Sequence, residues 1–293
     1  MPGANHFFPS PLPGETLFSI CSRYHVLSGN PSPLKTREDL KCPRNFFGFL
    51  DLPTKISQLI SETVLKNRIS ADELTIKNTN YPYFQPFLTE QQNAELITLI
   101  STGKHPKRRI TLSIKAQIRC KYCVHCVNDD LSRHGVSYWH REHQLPGVFV
   151  CPTHNTPLRF VPNRYQNKVI SGLLLPEATA LNPISQEAET KESLQLLTCI
   201  AKRTLDYLNH PSMALMEINE GIPPLRKNFE ILTKTLASLP PLGEYLYFRP
   251  RVPDSFPAKL QKALHRPFML HRPFEFILLR SIADVVSHNH LIN

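Results

Sequence analysis

The chain has 293 residues, 41% of them hydrophobic, and a formal net charge of +10. That length can bury more than one core, and no apolar run approaches the ~20 residues of a membrane span, which argues against a membrane protein and favours a soluble, cytoplasmic one. Seven cysteines are too few for a disulfide-stapled scaffold, and because we find no signal peptide we expect them to be reduced.

The first part of the chain predicts several short helices. Prolines between positions 9 and 13 exclude a helix there, whereas Glu15 to Leu27 places apolar side chains at helical spacing. Another amphipathic helix is predicted over 56–64. Short helices joined by short turns suit a helix-turn-helix module, so we predict one over 1–117, although any small helical bundle has the same periodicity.

The rest of this region predicts two more helices and an aromatic segment between them. One helix starts at Ser70, a hydroxyl cap followed by two acids, and another covers Glu90 to Ser101. Tyr81 to Phe87 holds too many prolines for a strand and too many aromatics for a solvated linker. We expect a packed, irregular bridge in the core; the alternative is a surface on which a partner or a base stacks.

Two pairs of potential metal ligands with identical spacing lie in the middle of the chain. Cys123-Val-His-Cys126 is the first hook, and Cys151-Pro-Thr-His154 is the second. Two residues between ligands let a tight turn aim both side chains at one ion, and three sulfurs with one imidazole suit tetrahedral Zn²⁺. We predict one structural zinc ion in a zinc ribbon over 118–160, with a hairpin carrying each hook. Since no ligand position is left for water, the ion would support folding, not catalysis.

Other residues of this segment are left out of the site. Cys120 forms an overlapping hook with Cys123, but that pairing would leave Cys126 without a partner in a hook. A single histidine in a loop is more often a hydrogen-bonded core or surface residue than a metal ligand. On that basis the excluded histidines are His125, His134, His140 and His143.

Beyond residue 160 the pattern becomes helical again. Helices are predicted over Ser193 to Leu208, Arg226 to Leu239, Ala258 to Leu264 and Arg272 to Val286. We therefore predict a C-terminal helical domain over 161–293. The predicted fold class is mainly α, with a helix-turn-helix-like module, a central zinc ribbon and a C-terminal helical region.

Positive charge is concentrated around the hooks. Positions 101–170 hold twelve lysines and arginines against three acids, and 249–280 is a second basic region. The electric field of such a basic region attracts polyanions, and phosphate groups are its commonest partners. The alternative is a basic surface that only keeps the protein soluble. The loop 104–109 is our first choice for phosphate contact. The candidates for nucleic-acid binding are Lys104, Lys107, Arg108, Arg109, Lys115, Arg119, Lys121, Arg133 and Arg141.

The segment YCVHCVNDD, followed by SYWHREHQLPGVFVCPTHNTPL, resembles the cysteine-rich core of the TniQ/TnsD family of transposon target-selection proteins. The segments FPSPLPGETLFSICSRYHVLSGN and NYPYFQPFL are also similar to segments of that family, so the resemblance covers about the first 160 residues. Val124 stands where the family usually has proline, and the family tolerates tryptophan at the position of His143, which supports excluding that histidine. The residues that match the core motif are Cys123, Cys126, Trp139, Arg141, His143, Leu145, Pro146, Cys151, Pro152, His154, Pro157 and Leu158.

The resemblance implies an adaptor that selects the target site of transposition. Such a protein marks an attachment site by binding double-stranded DNA, or through a CRISPR effector complex, and recruits the AAA+ regulator TnsC. It implies a bacterial, nucleoid-associated location and leaves a homodimer open. Proteins of the TnsD branch usually continue with a further DNA-reading region, so we expect a short member or a truncated chain.

The sequence contains no catalytic motif that we can identify, and we predict that the protein is not an enzyme. Asp129-Asp130 is the one adjacent acidic pair near the basic region, and neither a phosphate-cradling glycine loop nor a nucleophile motif is present. Two alternatives stay open. One is a protein–protein adaptor that never contacts nucleic acid, and the other is a metal-dependent nuclease built on His140 and His143.

Overall fold

Helices dominate the computed structural model of the chain, which confirms the prediction of a mainly α fold. The structure describes residues 7–42, 46, 52–61, 63–104, 120–161, 163–179, 184–185, 191–221 and 273–290. Within these ranges the helices are α1 (Leu17–Ser28), α2 (Pro33–Asp39), α3 (Ile56–Ser61), α4 (Ala71–Asn78), α5 (Tyr81–Phe84), α6 (Glu90–Thr102), α7 (Val124–His134), α8 (Asn163–Gly172), α9 (Pro176–Thr179), α10 (Lys191–Asn209), α11 (Pro211–Glu220) and α12 (Pro273–His290).

Short strands and 3-10 turns complete the described structure. Strands β1 (Lys121–Tyr122), β2 (Arg159–Phe160) and β3 (Ile184–Ser185) form an antiparallel sheet in the order β1-β2-β3. The 3-10 turns cover Val64–Asn67, Gln85–Phe87 and Glu142–Gln144. The helices predicted at 226–239 and 258–264 lie outside the described residues.

The predicted helices of the first hundred residues are present, and local capping explains where they begin. Thr16 precedes α1, and its side chain accepts a hydrogen bond from the backbone of Ser19 at 3.1 Å. Ser70 caps α4 in the same way, as its hydroxyl group predicted. At the other end of α1, Gly29 adopts a φ of 63°, a left-handed conformation that favours glycine and ends the helix.

The aromatic segment from Tyr81 to Phe87 is packed in the core. Tyr83 is fully buried, and Phe84 is 3% exposed. The ring of Phe87 contacts Phe276 of α12 at a centroid distance of 5.9 Å and Tyr207 of α10 at 6.4 Å. The segment therefore joins the first helices to the last ones, as expected of a packed bridge, but it is helical throughout and not irregular as predicted. This packing leaves Tyr83 and Phe84 no face on which a base could stack.

The region of the hooks docks directly on α1. Backbone hydrogen bonds of 3.0 Å from Thr16 to Trp139 and of 2.8 Å from Arg141 to Gly14 join the two parts of the chain. Trp139 is 1% exposed, and its indole N–H donates to the carbonyl of Leu174 at 2.8 Å. A single hydrophobic cluster runs from α1 through Trp139 to α10 and α12, so the hooks are held by a core that all three predicted regions share.

Candidate metal centre and basic residues

The first hook is carried by a strand and a helix. Strand β1 leads into Cys123, which occupies the N-cap position of α7, and Gly135 ends that helix at a φ of 70°. Because residues three apart lie on the same side of a helix, this geometry turns the Cys126 sulfur toward that of Cys123. The hairpin predicted here is therefore absent, since residues 124–134 form a regular helix instead.

The second hook is a tight knuckle between paired residues, as the ribbon prediction required. Val150 and Pro157 form an antiparallel bridge, and the backbone N–H of Cys151 donates to Thr156 at 2.8 Å. Asn155 has a φ of 53°, which asparagine tolerates better than most residues. The knuckle brings the sulfur of Cys151 and the ring of His154 to the side that faces the first hook.

The four predicted ligands converge on one point. The sulfurs of Cys126 and Cys151 are 3.7 Å apart, and His154 Nδ1 lies 3.6, 3.3 and 3.5 Å from the sulfurs of Cys123, Cys126 and Cys151. Ligands at ~2.3 Å (sulfur) and ~2.0–2.1 Å (nitrogen) from a tetrahedral zinc ion would be separated by ~3.8 Å for two sulfurs and ~3.5 Å for sulfur and nitrogen. The donor set therefore fits zinc in both chemistry and spacing.

The thiols of the cluster already influence each other's ionisation. The neighbouring sulfurs of Cys126 and Cys151 lower the pKa of Cys123, whereas the contact with Cys123 raises the pKa of Cys126. Metal ligation requires thiolates, and a shared negative charge is what a divalent ion would neutralise.

The residues that the sequence analysis left out stay outside the metal cluster. Cys120 is buried, and its backbone N–H donates to Gln166 at 2.9 Å. His143 Nε2 lies 3.9 Å from the Cys126 sulfur, and burial followed by the charge of His140 lowers the pKa of His143 to about 3. Among the described residues, the one group of ligand atoms that converges on a single point is Cys123, Cys126, Cys151 and His154.

His140 lies between two carboxylates in a buried network. Its Nε2 is 2.9 Å from Asp130, and its Nδ1 is 3.3 Å from Glu142. Burial acts to lower the pKa of His140, but the hydrogen bonds to these carboxylates outweigh it and raise the pKa to about 9. Both ring nitrogens of His140 therefore contact carboxylates, and neither is directed at a group of metal ligands among the described residues. The nuclease alternative therefore finds no support at His140.

A carboxylate contacts the far side of the histidine ligand. Asp129 Oδ2 lies 3.3 Å from His154 Nε2, while His154 Nδ1 faces the three sulfurs. Metal-bound histidines commonly donate their second N–H to a carboxylate, which fixes the tautomer and the orientation of the ring. Asp129 can thus hold His154 in the tautomer that presents Nδ1 to an ion.

We expect Asp129→Ala to release zinc about 10–100-fold more readily than the unaltered chain, because the second N–H of the histidine ligand loses its acceptor. Transfer of zinc to a chromophoric chelator measures this directly. Asp206→Ala is the control, since Asp206 is exposed on α10, away from the hooks. Equal release from the two variants would show that Asp129 does not position His154.

The basic residues predicted to contact nucleic acid fall into three groups. Lys107, Arg108, Arg109, Lys115 and Arg119 lie outside the described residues. Lys104 follows α6 and Arg133 lies in the last turn of α7, and both are exposed. These positions are compatible with phosphate contact, which stays a prediction for them.

Lys121 and Arg141 form the third group, and both are largely buried. Lys121 is 6% exposed, and its Nζ donates to the carbonyls of Leu145 and Val148 at 2.8 Å each. Arg141 is 8% exposed, and its Nη1 donates to the carbonyl of Ile76 at 2.6 Å. Because these side chains stabilise internal carbonyl groups, we remove both from the candidate nucleic-acid surface.

Comparisons with known proteins give a match in the part of the chain that contains the hooks. A protein-family model described as TniQ matches residues 6–158, which include all four candidate zinc ligands. The transposon Tn7 transposition protein TnsD of Escherichia coli is 26% identical over 158 residues, or 52% of this chain. The chain spans 31% of the length of that relative. Among the described helices, none is long and apolar enough to cross a membrane.

Proposed function

The chain belongs to the TniQ family, and from this membership we propose that it selects the target site of a transposon, by marking an attachment site and recruiting an AAA+ regulator. The observation that carries the proposal is the family match over 6–158, which contains α1, the aromatic bridge and the complete candidate metal centre. In this function the protein performs no bond chemistry. It acts as a scaffold that holds two macromolecular partners.

DNA is the partner that we assign to the exposed basic residues. Arg133 lies on α7, the helix whose first turn carries Cys126, so an ion bound at the hooks would also fix the position of the helix that carries Arg133. Lys104 borders residues 105–119, which hold the other basic candidates. Contacts of this kind make log affinity fall with log salt by about 0.9 for each neutralised phosphate of duplex DNA.

We expect Arg133→Ala to weaken binding to attachment-site and random duplexes alike and to lower the salt slope by about 1, because a phosphate contact carries no sequence information. The double replacement of Arg108 and Arg109 by alanine should lower the slope by about 2. Gel shifts at several salt concentrations measure both effects. Lys202→Ala, at an exposed position of α10, is the control. A salt slope near zero for the unaltered chain would contradict the assignment. A salt slope that these variants leave unchanged would contradict it as well.

The AAA+ regulator TnsC is the second partner that we propose. A pull-down of the regulator with this chain, run beside the gel shifts, tests both halves of the function together. If the chain retains the regulator but shifts neither attachment-site nor random DNA, two alternative modes of action remain. The chain would then act as a protein–protein adaptor or be brought to its target by a CRISPR effector complex, which a pull-down with that complex would distinguish.

A further inference from the structure

A cleft of about 690 Å³ opens where four segments of the chain meet. The proline-rich segment from Pro11 to Gly14 lines one side, and α4 and the end of α10 line others. Arg141 and Glu142 complete the lining. The α10 residues Leu205, Leu208 and Asn209 fall outside the family match, so the cleft joins the shared region to a part of the chain beyond it.

The proline-rich wall is held in place by buried hydrogen bonds. Glu15 is fully buried, and its Oε2 accepts from the backbone N–H of Leu12 at 2.9 Å and from Arg23 at 2.8 Å. The carbonyl of Gly14 accepts from the backbone of Arg141 at 2.8 Å. The wall is thus formed before any ligand arrives, which lowers the entropy that binding would cost.

The cleft contains a buried cation without a carboxylate partner. Nη1 of Arg141 donates to the carbonyls of Ile76 and Thr79, at 2.6 and 3.2 Å, and no carboxylate among the described residues forms an ion pair with this guanidinium group. Burial lowers the pKa of Arg141, and the nearby charge of Glu142 acts in the opposite direction. The planar guanidinium group has five N–H donors, so it retains donors for a carboxylate.

We propose that this cleft binds a short, extended peptide segment of the AAA+ regulator, with a carboxylate of that peptide paired with Arg141 and its apolar side chains packed on Leu12 and Leu205. The inference rests on the proposed function, because it assigns the regulator to this surface. The volume falls within the ~300–1,000 Å³ of typical ligand sites, which suits a few residues. Helix α10 lies outside the residues that match the family. A cleft wall that includes α10 would therefore add contacts with the regulator that the matched residues alone do not make.

The lining favours a peptide over nucleic acid. Glu73 and Glu142 line the same cleft, so a nucleic acid would place successive phosphates against these carboxylates, whereas a peptide can place a single carboxylate at Arg141. Lys77, the other cation of the lining, is paired with Glu73 at 2.7 Å. A peptide carries N–H donors for these carboxylates as well as a carboxylate for Arg141, so it can satisfy groups of both signs.

The test uses the full chain and the intact regulator with ATP. Asn209→Trp fills the cleft from an exposed position, and Lys77→Glu adds negative charge at a side chain that is 66% exposed, so neither disturbs the core. We expect each variant to weaken binding of the regulator at least 10-fold. The matched controls Asn219→Trp and Lys202→Glu, at exposed positions outside the cleft, should bind like the unaltered chain.

The outcomes separate this inference from the function on which it rests. Equal binding of the regulator by the cleft variants and their controls would overturn the assignment of the cleft and leave the proposed function intact. No binding by the unaltered chain would overturn both. Loss of DNA binding in the cleft variants, with the regulator retained, would assign the cleft to nucleic acid instead. Overlapping peptides that cover the regulator should contain an acidic segment that binds the chain and fails to bind Asn209→Trp.

Discussion

Cys126→Ser is expected to abolish zinc binding and to unfold the region between the two hooks. A structural zinc ion contributes about 10–16 kcal/mol to the folding of small zinc domains, far more than one hydrogen bond or ion pair. Here the ion would join α7 to the knuckle of Cys151, and both pack on the core that contains Trp139. Loss of one ligand therefore removes the link that holds these elements together.

Trp139 makes this loss directly measurable. It is the one tryptophan of the chain and is 1% exposed, so unfolding around the hooks should shift its fluorescence to longer wavelength as the zinc content falls. Cys199→Ser is the control, because Cys199 lies on α10 outside the metal cluster and should keep both zinc and the buried emission. A Cys126→Ser protein with a full complement of zinc and unchanged emission would contradict the assignment of the site.

Glu217→Ala is expected to destabilise the chain by about 2–3 kcal/mol, because Arg203 and Arg280 lose the carboxylate that they share. Each cation keeps one other carboxylate, Asp284 for Arg203 and Glu220 for Arg280, so neither charge is left without a partner. Glu217 of α11 accepts hydrogen bonds from Arg203 of α10 and Tyr207, and Arg280 Nε of α12 lies 3.2 Å away. The Arg203 and Arg280 side chains are 14% and 12% exposed, so water replaces the lost partner only in part. Denaturation in urea measures the effect as a lower transition midpoint.

Glu220→Ala provides the matched control for that prediction. Glu220 also pairs with Arg280, at 3.2 Å, but its side chain is 62% exposed. Exposed ion pairs contribute about 0–1 kcal/mol, so this variant should unfold close to the unaltered chain. If the two variants lose the same stability, Glu217 does not hold α10, α11 and α12 together.

The candidate metal ligands could be predicted from the sequence because their signal is local. Two hooks with the same spacing, Cys123 to Cys126 and Cys151 to His154, specify the chemistry of the site without knowledge of the fold. Amphipathic spacing and hydroxyl caps such as Ser70 likewise predicted the helices that begin beside them. Helix α7 was missed because Cys123 occupies the N-cap without a side-chain hydrogen bond, so the usual cap signal is absent.

The burial of the basic residues could not be predicted in the same way. Arg141 reaches the carbonyl of Ile76, 65 positions earlier in the chain, and Lys121 reaches that of Val148, 27 positions later. Such contacts depend on how distant segments pack, which charge counts do not reveal. Asp129 lies three residues after Cys126 on α7, so its approach to His154 could have been inferred only if that helix had been recognised.

X-ray absorption at the zinc edge of the purified chain tests the central claim most directly. With one zinc ion per chain, we predict a first shell of three sulfurs at ~2.3 Å and one nitrogen at ~2.0–2.1 Å, as Cys123, Cys126, Cys151 and His154 require. A first shell of four sulfurs, which would bring Cys120 into the site, or purified protein without bound metal would contradict the account.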